Sequence, residues 1–295
     1  MKRPNVFIIV LNWNDYESTV KCVESLEKQT YDNFRIVILD NNSQDKSGEL
    51  LRERFSNHKI ILNEKNLGYT GGNNIGINYA QKCNADYIYI VNNDTIHEQR
   101  SLLDNFVDVM ENDKKIGIIG PKIVDKTYGN IQSIYDGSRW WDKIEHEIGL
   151  NRDNSTFTPV LRILGCSMLF RTELVEKIGD LDEGFFMYSD EDDFCLRANL
   201  NGYSVIYNQK FEVKRNTDSD KKTYNKRKTY YCTRNKILML NKNFNGKFLW
   251  EMHIANLYGE LKNILKIPSS DFKLSRIKGL KDGYLNKSGR NKNIQ

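Results

Sequence analysis

Three short apolar runs in this chain each stop at a cluster of Asn and Asp. Val6 to Leu11 runs unbroken into Asn12-Trp13-Asn14, Arg35 to Leu39 ends in Asp40-Asn41-Asn42-Ser43, and Asp86 to Val91 ends in Asn92-Asn93-Asp94. Runs this short and without polar alternation suit strands covered on both faces, which predicts an open α/β sheet flanked by helices. After the first run, Asn14 and Glu17 have the form of a capping box, and Val20, Val23 and Leu26 recur at helical spacing. All three polar clusters then fall at the carboxyl ends of strands, the edge of such a sheet where ligands, and nucleotides especially, bind.

Between the second and third strands, Asn66-Leu67-Gly68-Tyr69-Thr70-Gly71-Gly72-Asn73-Asn74-Ile75-Gly76 reads as a turn opening onto a helix that includes Ala80. Residues this small let backbone N–H groups approach an anion, and a helix N-terminus adds partial positive charge. The turn has neither the Lys-Ser/Thr ending of a P-loop nor the spacing of a dinucleotide site. Later, Gly184-Phe185-Phe186-Met187-Tyr188-Ser189 leads into Asp190-Glu191-Asp192-Asp193 and then Phe194-Cys195-Leu196-Arg197. Crowded carboxylates raise the cost of ionising one another, so at least one should hold its proton unusually tightly, as a general base does. In a helix, Asp193 and Arg197 would stand at i and i+4 and pair, which makes Asp193 an orienting group.

The 295 residues are enough for one large α/β domain with appendages or two small domains. No apolar run reaches the length of a membrane span, and Met1-Lys2-Arg3-Pro4 leads into a stretch too short for a signal peptide, so a cytoplasmic enzyme is expected. Five cysteines without a C-x-x-C pair read as reduced thiols. The net charge of +5 is unevenly spread: residues 206–295 hold 21 Lys and Arg against 7 Asp and Glu, the first 205 hold 23 against 32. Lys210 to Lys236 reads as a mobile basic loop. Trp250, Ile254, Leu257, Leu261 and Ile264 share a helical face with Lys262 and Lys266 nearby. That face either packs on the core or rests on anionic lipid at the inner side of the cell membrane; a nucleic-acid partner is not expected without a recognition motif.

In order, these segments resemble the family 2 glycosyltransferases, inverting sugar-nucleotide enzymes of the GT-A fold. The resemblance is carried from Asn12 to Asn235 by Asp40-Asn41-x-Ser43, Asn66-x-Gly68, Gly71-Gly72-Asn73-Asn74, Asn92-Asn93-Asp94-Thr95, Pro121-Lys122, Gly165, Gly179-x-Leu181-Asp182-Glu183-x-Phe185-Phe186, the acidic run, Gly202-Tyr203 and Tyr230-Tyr231-x-x-Arg234-Asn235. The subgroup it is most similar to transfers rhamnose or related hexoses onto surface polysaccharides.

The resemblance implies a GT-A domain over 1–236, with a nucleotide-sugar half (1–95) and an acceptor half with the basic loop (96–236), then a basic helical extension over 237–295. It also implies site roles. Asn12, Asp40 and Asn42 would hold the base and ribose of a UDP- or dTDP-sugar, since a carboxylate accepts from the imide N–H of uracil or thymine. Asn66, Gly68 and Asn73 would border the same pocket, with Asn93 beside it. Asp94 stands at the metal position and would hold Mg²⁺ or Mn²⁺ together with the diphosphate. A histidine common at a further ligand position is replaced by Arg215, which would pair with diphosphate directly, alongside Arg234. Glu191 is the first choice for the base, Asp190 the second, and Asp193 completes the motif. Apart from the resemblance, Phe185, Phe186, Tyr188, Trp140 and Trp141 are candidates to wall the site for a glycan or lipid-linked glycan acceptor by stacking on sugar faces, with a core role an equal reading for Phe185 and Phe186. Two other readings stand beside this one. A nucleotidyltransferase of the same fold would carry Arg and Lys in an early glycine-rich loop, which Val6 to Tyr16 lacks. A non-catalytic sugar-binding module would not need the carboxylates at 40, 94 and 190–193.

Overall fold

A computed structural model describes residues 3–125, 129–130, 139–151, 156–216, 226–266, 269–292 and 294. The three apolar runs form β1 (Val6–Asn12), β2 (Phe34–Asp40) and β4 (Tyr87–Asn92), joined in parallel, with β3 (Lys59–Leu62) at the edge. Around them lie α1 (Tyr16–Leu26), α2 (Ser47–Arg54) and α3 (Gly68–Lys82). The cap of α1 is Asp15, whose side chain accepts from the Ser18 N–H; Asn14 takes a left-handed turn conformation instead.

The second half makes the sheet mixed. After β5 (Thr95–Ile96) and α4 (Leu102–Asn112) come β6 (Ile116–Asp125), β7 (Gly129–Asn130), α5 (Arg139–Glu147), β8 (Phe157–Pro159) and β9 (Ser167–Arg171). Then follow α6 (Thr172–Ile178), α7 (Asp190–Leu200) and β10 (Ser204–Arg215). The strand order is β3-β2-β1-β4-β9-β6-β10-β5, and β9 runs antiparallel between β4 and β6. Two apolar layers cover the sheet, one gathering Val6, Ile8, Val10 and the α1 and α4 faces, the other Phe7, Ile9 and the α3, α6 and α7 faces. Successive strand residues therefore enter opposite layers, which is why these strands are apolar throughout.

Three helices close the chain: α8 (Lys226–Asn243), α9 (Gly246–Lys266) and α10 (Ser270–Tyr284). The expected basic loop from Lys210 to Lys236 is thus replaced at its two ends by β10 and α8, and 217–225 lies outside the described residues. A boundary at 236/237 would cut through α8. Gly279 and Gly283 let α10 lie close on α8, since a Cβ at either would come within 2.8 Å of Tyr230 or Ile237 atoms. All five cysteines are free.

Candidate active site

The parallel register sets Asn12 beside Asp40 and Leu11 beside Asn92, so the polar ends of the strands meet at one edge. Asn12 Nδ2 donates to Asp40 Oδ1 at 2.7 Å and to Ser47 Oγ at 2.8 Å. Thr19 Oγ1 donates to Asn12 Oδ1 at 2.7 Å, and Asn93 Nδ2 donates to Thr19 Oγ1 at 3.0 Å. Ser43 supplies its N–H to Asp40 Oδ2 and its hydroxyl to Oδ1. Gly48 permits α2 to begin over this carboxylate, because a Cβ there would stand 2.8 Å from the Asp40 carboxyl carbon. Asp40 is buried, with Oδ2 keeping acceptor capacity for a ligand. Asn42, in a left-handed conformation, reaches the Glu64 carbonyl at 2.5 Å and so joins the turn after β2 to the loop after β3.

The Gly/Asn turn lies where expected but is built for packing. Gly72 and Gly76 face Leu11 and Ile9 so closely that a Cβ would fall within 2.8 Å, so they let α3 lie on the sheet. Its first N–H groups are not open to an anion: those of Tyr69 and Thr70 both donate to the Phe186 carbonyl. Gly68 has φ of 76° and would strike Phe186 with any Cβ. Asn66 Oδ1 accepts from the Gly68 N–H at 2.8 Å, and Asn73 is buried with its amide on the Tyr69 carbonyl. The anion cradle expected here is therefore a dock for the segment that carries the acidic run.

That segment is strained. Phe186, Tyr188 and Ser189 all have φ near 60° (65°, 64° and 60°), a conformation that non-glycine residues hold only when the surroundings enforce it. The enforcing groups come from α8. Asn235 Nδ2 reaches the carbonyls of Phe185, Met187 and Tyr188 at 3.1, 2.9 and 2.7 Å, and Arg234 reaches those of Gly184 and Phe185. Arg234 is fully buried under the Tyr230 and Tyr231 rings. It holds the segment in place, which corrects the expectation that it reaches a donor diphosphate from a loop. Asn235→Ala should remove three bonds to a strained backbone, lowering stability by about 2–4 kcal/mol. Thermal unfolding checks this, and an unchanged Tm would show that the segment holds itself.

Out of this elbow rises α7 with all four carboxylates in its first turn, where the helix dipole favours negative charge. Their environments differ. Asp193 accepts from Arg197 Nε at 2.7 Å and from Asn243 Nδ2 at 2.8 Å, so it ties α7 to its own last turn and to α8. Asp192 pairs with Arg162 at 3.2 Å, and Arg162 lies over the Trp141 ring. Asp190 is buried, and its Oδ2 has no hydrogen-bond partner among the described residues. Glu191 is half-buried and stands beside Gly165, where a Cβ would come within 3.1 Å of the Glu191 Cβ and 3.0 Å of the Tyr69 hydroxyl. Burial pushes both the Asp190 and Glu191 carboxyls above the usual range, and the nearby carboxylates add to it.

Asp94 follows β4 and meets Arg215 at the end of β10, with Arg215 Nε donating to Asp94 Oδ2 at 2.8 Å. Burial opposes the charge on Arg215, and its neighbours, Asp94 among them, more than offset it, so its pKa is raised. The Cys166 thiol, pushed up to about 12 by burial, lies within the field of Arg215, Asp94 and Glu191 together. The two ends of the sheet edge and the tip of α7 therefore converge over Gly165 and Cys166. Asp94 Oδ1 is buried and has no hydrogen-bond partner among the described residues, which fits one ligand to a cation carried in by a diphosphate. Among the described residues no group of three or more His, Cys, Asp and Glu could hold a metal ion by itself.

Phe185 and Trp140 lie in a buried apolar cluster with Leu196, Leu238 and Met252, so neither walls an acceptor site. Three residues with structural parts in the site were given none from the sequence. Asn41 bonds to the Gly68 carbonyl and the Leu67 N–H, Asn74 to both polar atoms of the Leu181 backbone, and Tyr69 donates to the Gly165 carbonyl at 2.7 Å. Asn41 and Asn74 stand inside the motifs quoted above with no part of their own, and Tyr69 follows Gly68.

The description "Glycosyl transferase family 2" matches residues 7–179, more than half of the chain. The chain belongs to this family. Among curated relatives of this family 2 protein, the low-salt glycan biosynthesis hexosyltransferase Agl10 of Haloferax volcanii is 25% identical over 80% of this chain and 76% of its own length. An uncharacterized glycosyltransferase of Methanocaldococcus jannaschii, MJ1057, is 27% identical over 87% of this chain and 88% of its own. S. aureus TarS 1-349 in complex with UDP-GlcNAc shares the fold with a TM-score of 0.67 at 16% identity, covering 96% of this chain and 81% of that one. The mannosyltransferase PcManGT from Pyrobaculum calidifontis in complex with GDP-Man and Mn²⁺ gives 0.64 at 15%, over 97% and 88%. Against the longer TarS chain, this one spans about half, 49%. The family match ends at Gly179, so the part played by α7 rests on its geometry.

Proposed function

We propose that this family 2 chain transfers a hexose, rhamnose-like or related, from a UDP- or dTDP-sugar to a hydroxyl of a glycan or lipid-linked glycan acceptor, with inversion, in surface polysaccharide synthesis. The observation that carries the reading is Glu191 at the tip of α7, half-exposed beside Gly165 and Tyr69, with the neighbouring Cys166 thiol inside the charge field of Glu191, Asp94 and Arg215 alike. Proteins that share the fold have been solved in complex with UDP, UDP-GlcNAc and GDP-Man, which supports a nucleotide-sugar donor.

In this reading Asp40, held by Asn12 and Ser43, accepts from the pyrimidine imide. Glu191 takes the proton of the acceptor hydroxyl as its oxygen attacks the anomeric carbon, and the bond to the diphosphate breaks on the opposite face. Arg215 faces the departing diphosphate and offsets its charge. Asp94 Oδ1 would hold Mg²⁺ or Mn²⁺ brought by the donor, which would share that task. Asp190, beside Glu191 and out of water, keeps the pair's affinity for a proton high.

Incubation with a panel of sugar nucleotides should give slow donor hydrolysis; none with any donor would favour the non-catalytic module. Calorimetry should show UDP or dTDP binding more tightly than ADP or GDP, and Asp40→Ala weakening it about tenfold or more. Equal affinity for purine and pyrimidine diphosphates would remove Asp40 from the base pocket.

A further inference from the structure

The last long helix is built with its apolar stripe outward. On α9, Trp250, Ile254, Leu257, Tyr258, Leu261 and Leu265 fall on one face and are 42–81% exposed. The opposite side, turned into the protein, buries Met252 but also Asn256 and Glu260, the latter paired with Arg276 of α10. A helix that only packed on the core would bury the first set and expose the second, so packing does not explain this sequence.

We infer that this face of α9 lies on the surface of an anionic lipid bilayer. Lys262 and Lys266 border the stripe, and Lys262 sits 4.3 Å over the Tyr258 ring. The four acids of α9 and α10 are already committed: Glu251 to Lys247, Glu260 to Arg276, Asp271 to Lys226 and Asp282 to Lys287. The helices therefore present net positive charge beside an aromatic and aliphatic stripe, the arrangement of an interfacial helix attracted to acidic headgroups. A second copy is a poorer occupant, because a two-fold contact would bring the same lysines together with no free acid across from them. No helix among the described residues is long and apolar enough to cross a membrane, so the helix rests on the bilayer rather than spanning it. From α9 the link to the site is short: α10 lies on α8, and α8 holds the elbow before Glu191.

The inference rests on the lipid-linked acceptor reading only for its purpose, and the test needs neither donor nor acceptor. In flotation, the full chain should bind vesicles of phosphatidylcholine and phosphatidylglycerol in equal parts. Phosphatidylcholine alone, or raised salt, should weaken binding about tenfold or more. Trp250→Glu with Leu265→Glu should abolish binding, and Lys262→Glu with Lys266→Glu should reduce it on anionic vesicles by about tenfold or more, both variants melting as the parent does. Equal binding to neutral and anionic vesicles, retention by the Trp250→Glu/Leu265→Glu protein, or no binding at all would overturn the proposal. So would a parent dimer that those two substitutions turn into a monomer.

Discussion

Glu191→Gln should lower turnover by about 10²-fold or more while donor affinity, read by calorimetry, stays close to the parent's. The amide keeps the shape of the side chain beside Gly165 and Tyr69 but cannot take the acceptor proton. The same variant gains stability at neutral and alkaline pH. Both carboxyls are raised in the folded protein, so the unfolded chain gives up its protons at lower pH than the folded one does. Folding stability then falls as pH rises from the unfolded carboxyl value of 4.5 towards the raised folded value, and an amide removes that loss. Melting curves for parent and Glu191→Gln should coincide in acid and separate above it, with the variant higher. The acid limb of kcat/KM should lie well above 4.5 for the same reason. If Glu191→Gln stays active and Asp190→Asn is dead, the base is the buried residue one position earlier.

Arg215→Ala makes transfer depend on added Mg²⁺ or Mn²⁺. The parent should keep part of its turnover in chelator, because the guanidinium already stands 2.8 Å from Asp94, inside the charge field shared with Glu191 and Cys166. Without it the departing diphosphate loses a fixed cation, a change on the scale of removing one transition-state donor, about 10²-fold. Rates in chelator and across a metal titration, for parent, Arg215→Ala and Arg215→Lys, measure this. Complete loss of parent activity in chelator together with an unaffected Arg215→Ala would leave Arg215 a structural partner of Asp94.

Much of this site was legible because it depends on short-range rules. Asn12, Asp40 and Asp94 were placed at strand ends by the apolar runs before them, and parallel pairing brings such ends to one edge. The pairing of Asp193 with Arg197 follows from helical geometry alone. Gly68, Gly72 and Gly76 did not choose between readings, since a glycine needed for close approach looks the same whether a phosphate or a helix comes near. Arg234 misled: a run rich in Lys, Arg and Tyr resembles a solvated loop until its partner carbonyls, some fifty residues away in the chain, are in place.

The amino-acid order by itself determined the three apolar strands, the helices after the first of them and after the Gly/Asn turn, and the polar residues at the strand ends, because period and burial are properties of neighbours along the chain. The surroundings of the four adjacent acids were decided only in three dimensions. Asn235 and Arg234 hold Phe186, Tyr188 and Ser189 in left-handed turns, and those turns set the rotation at which α7 begins. That rotation sends Asp193 to Asn243, Asp192 to Arg162 and Glu191 to Gly165. The outward stripe of α9 had the same origin: helical period puts six apolar residues on one face, but only the packing of α10 and α8 decides whether that face is covered.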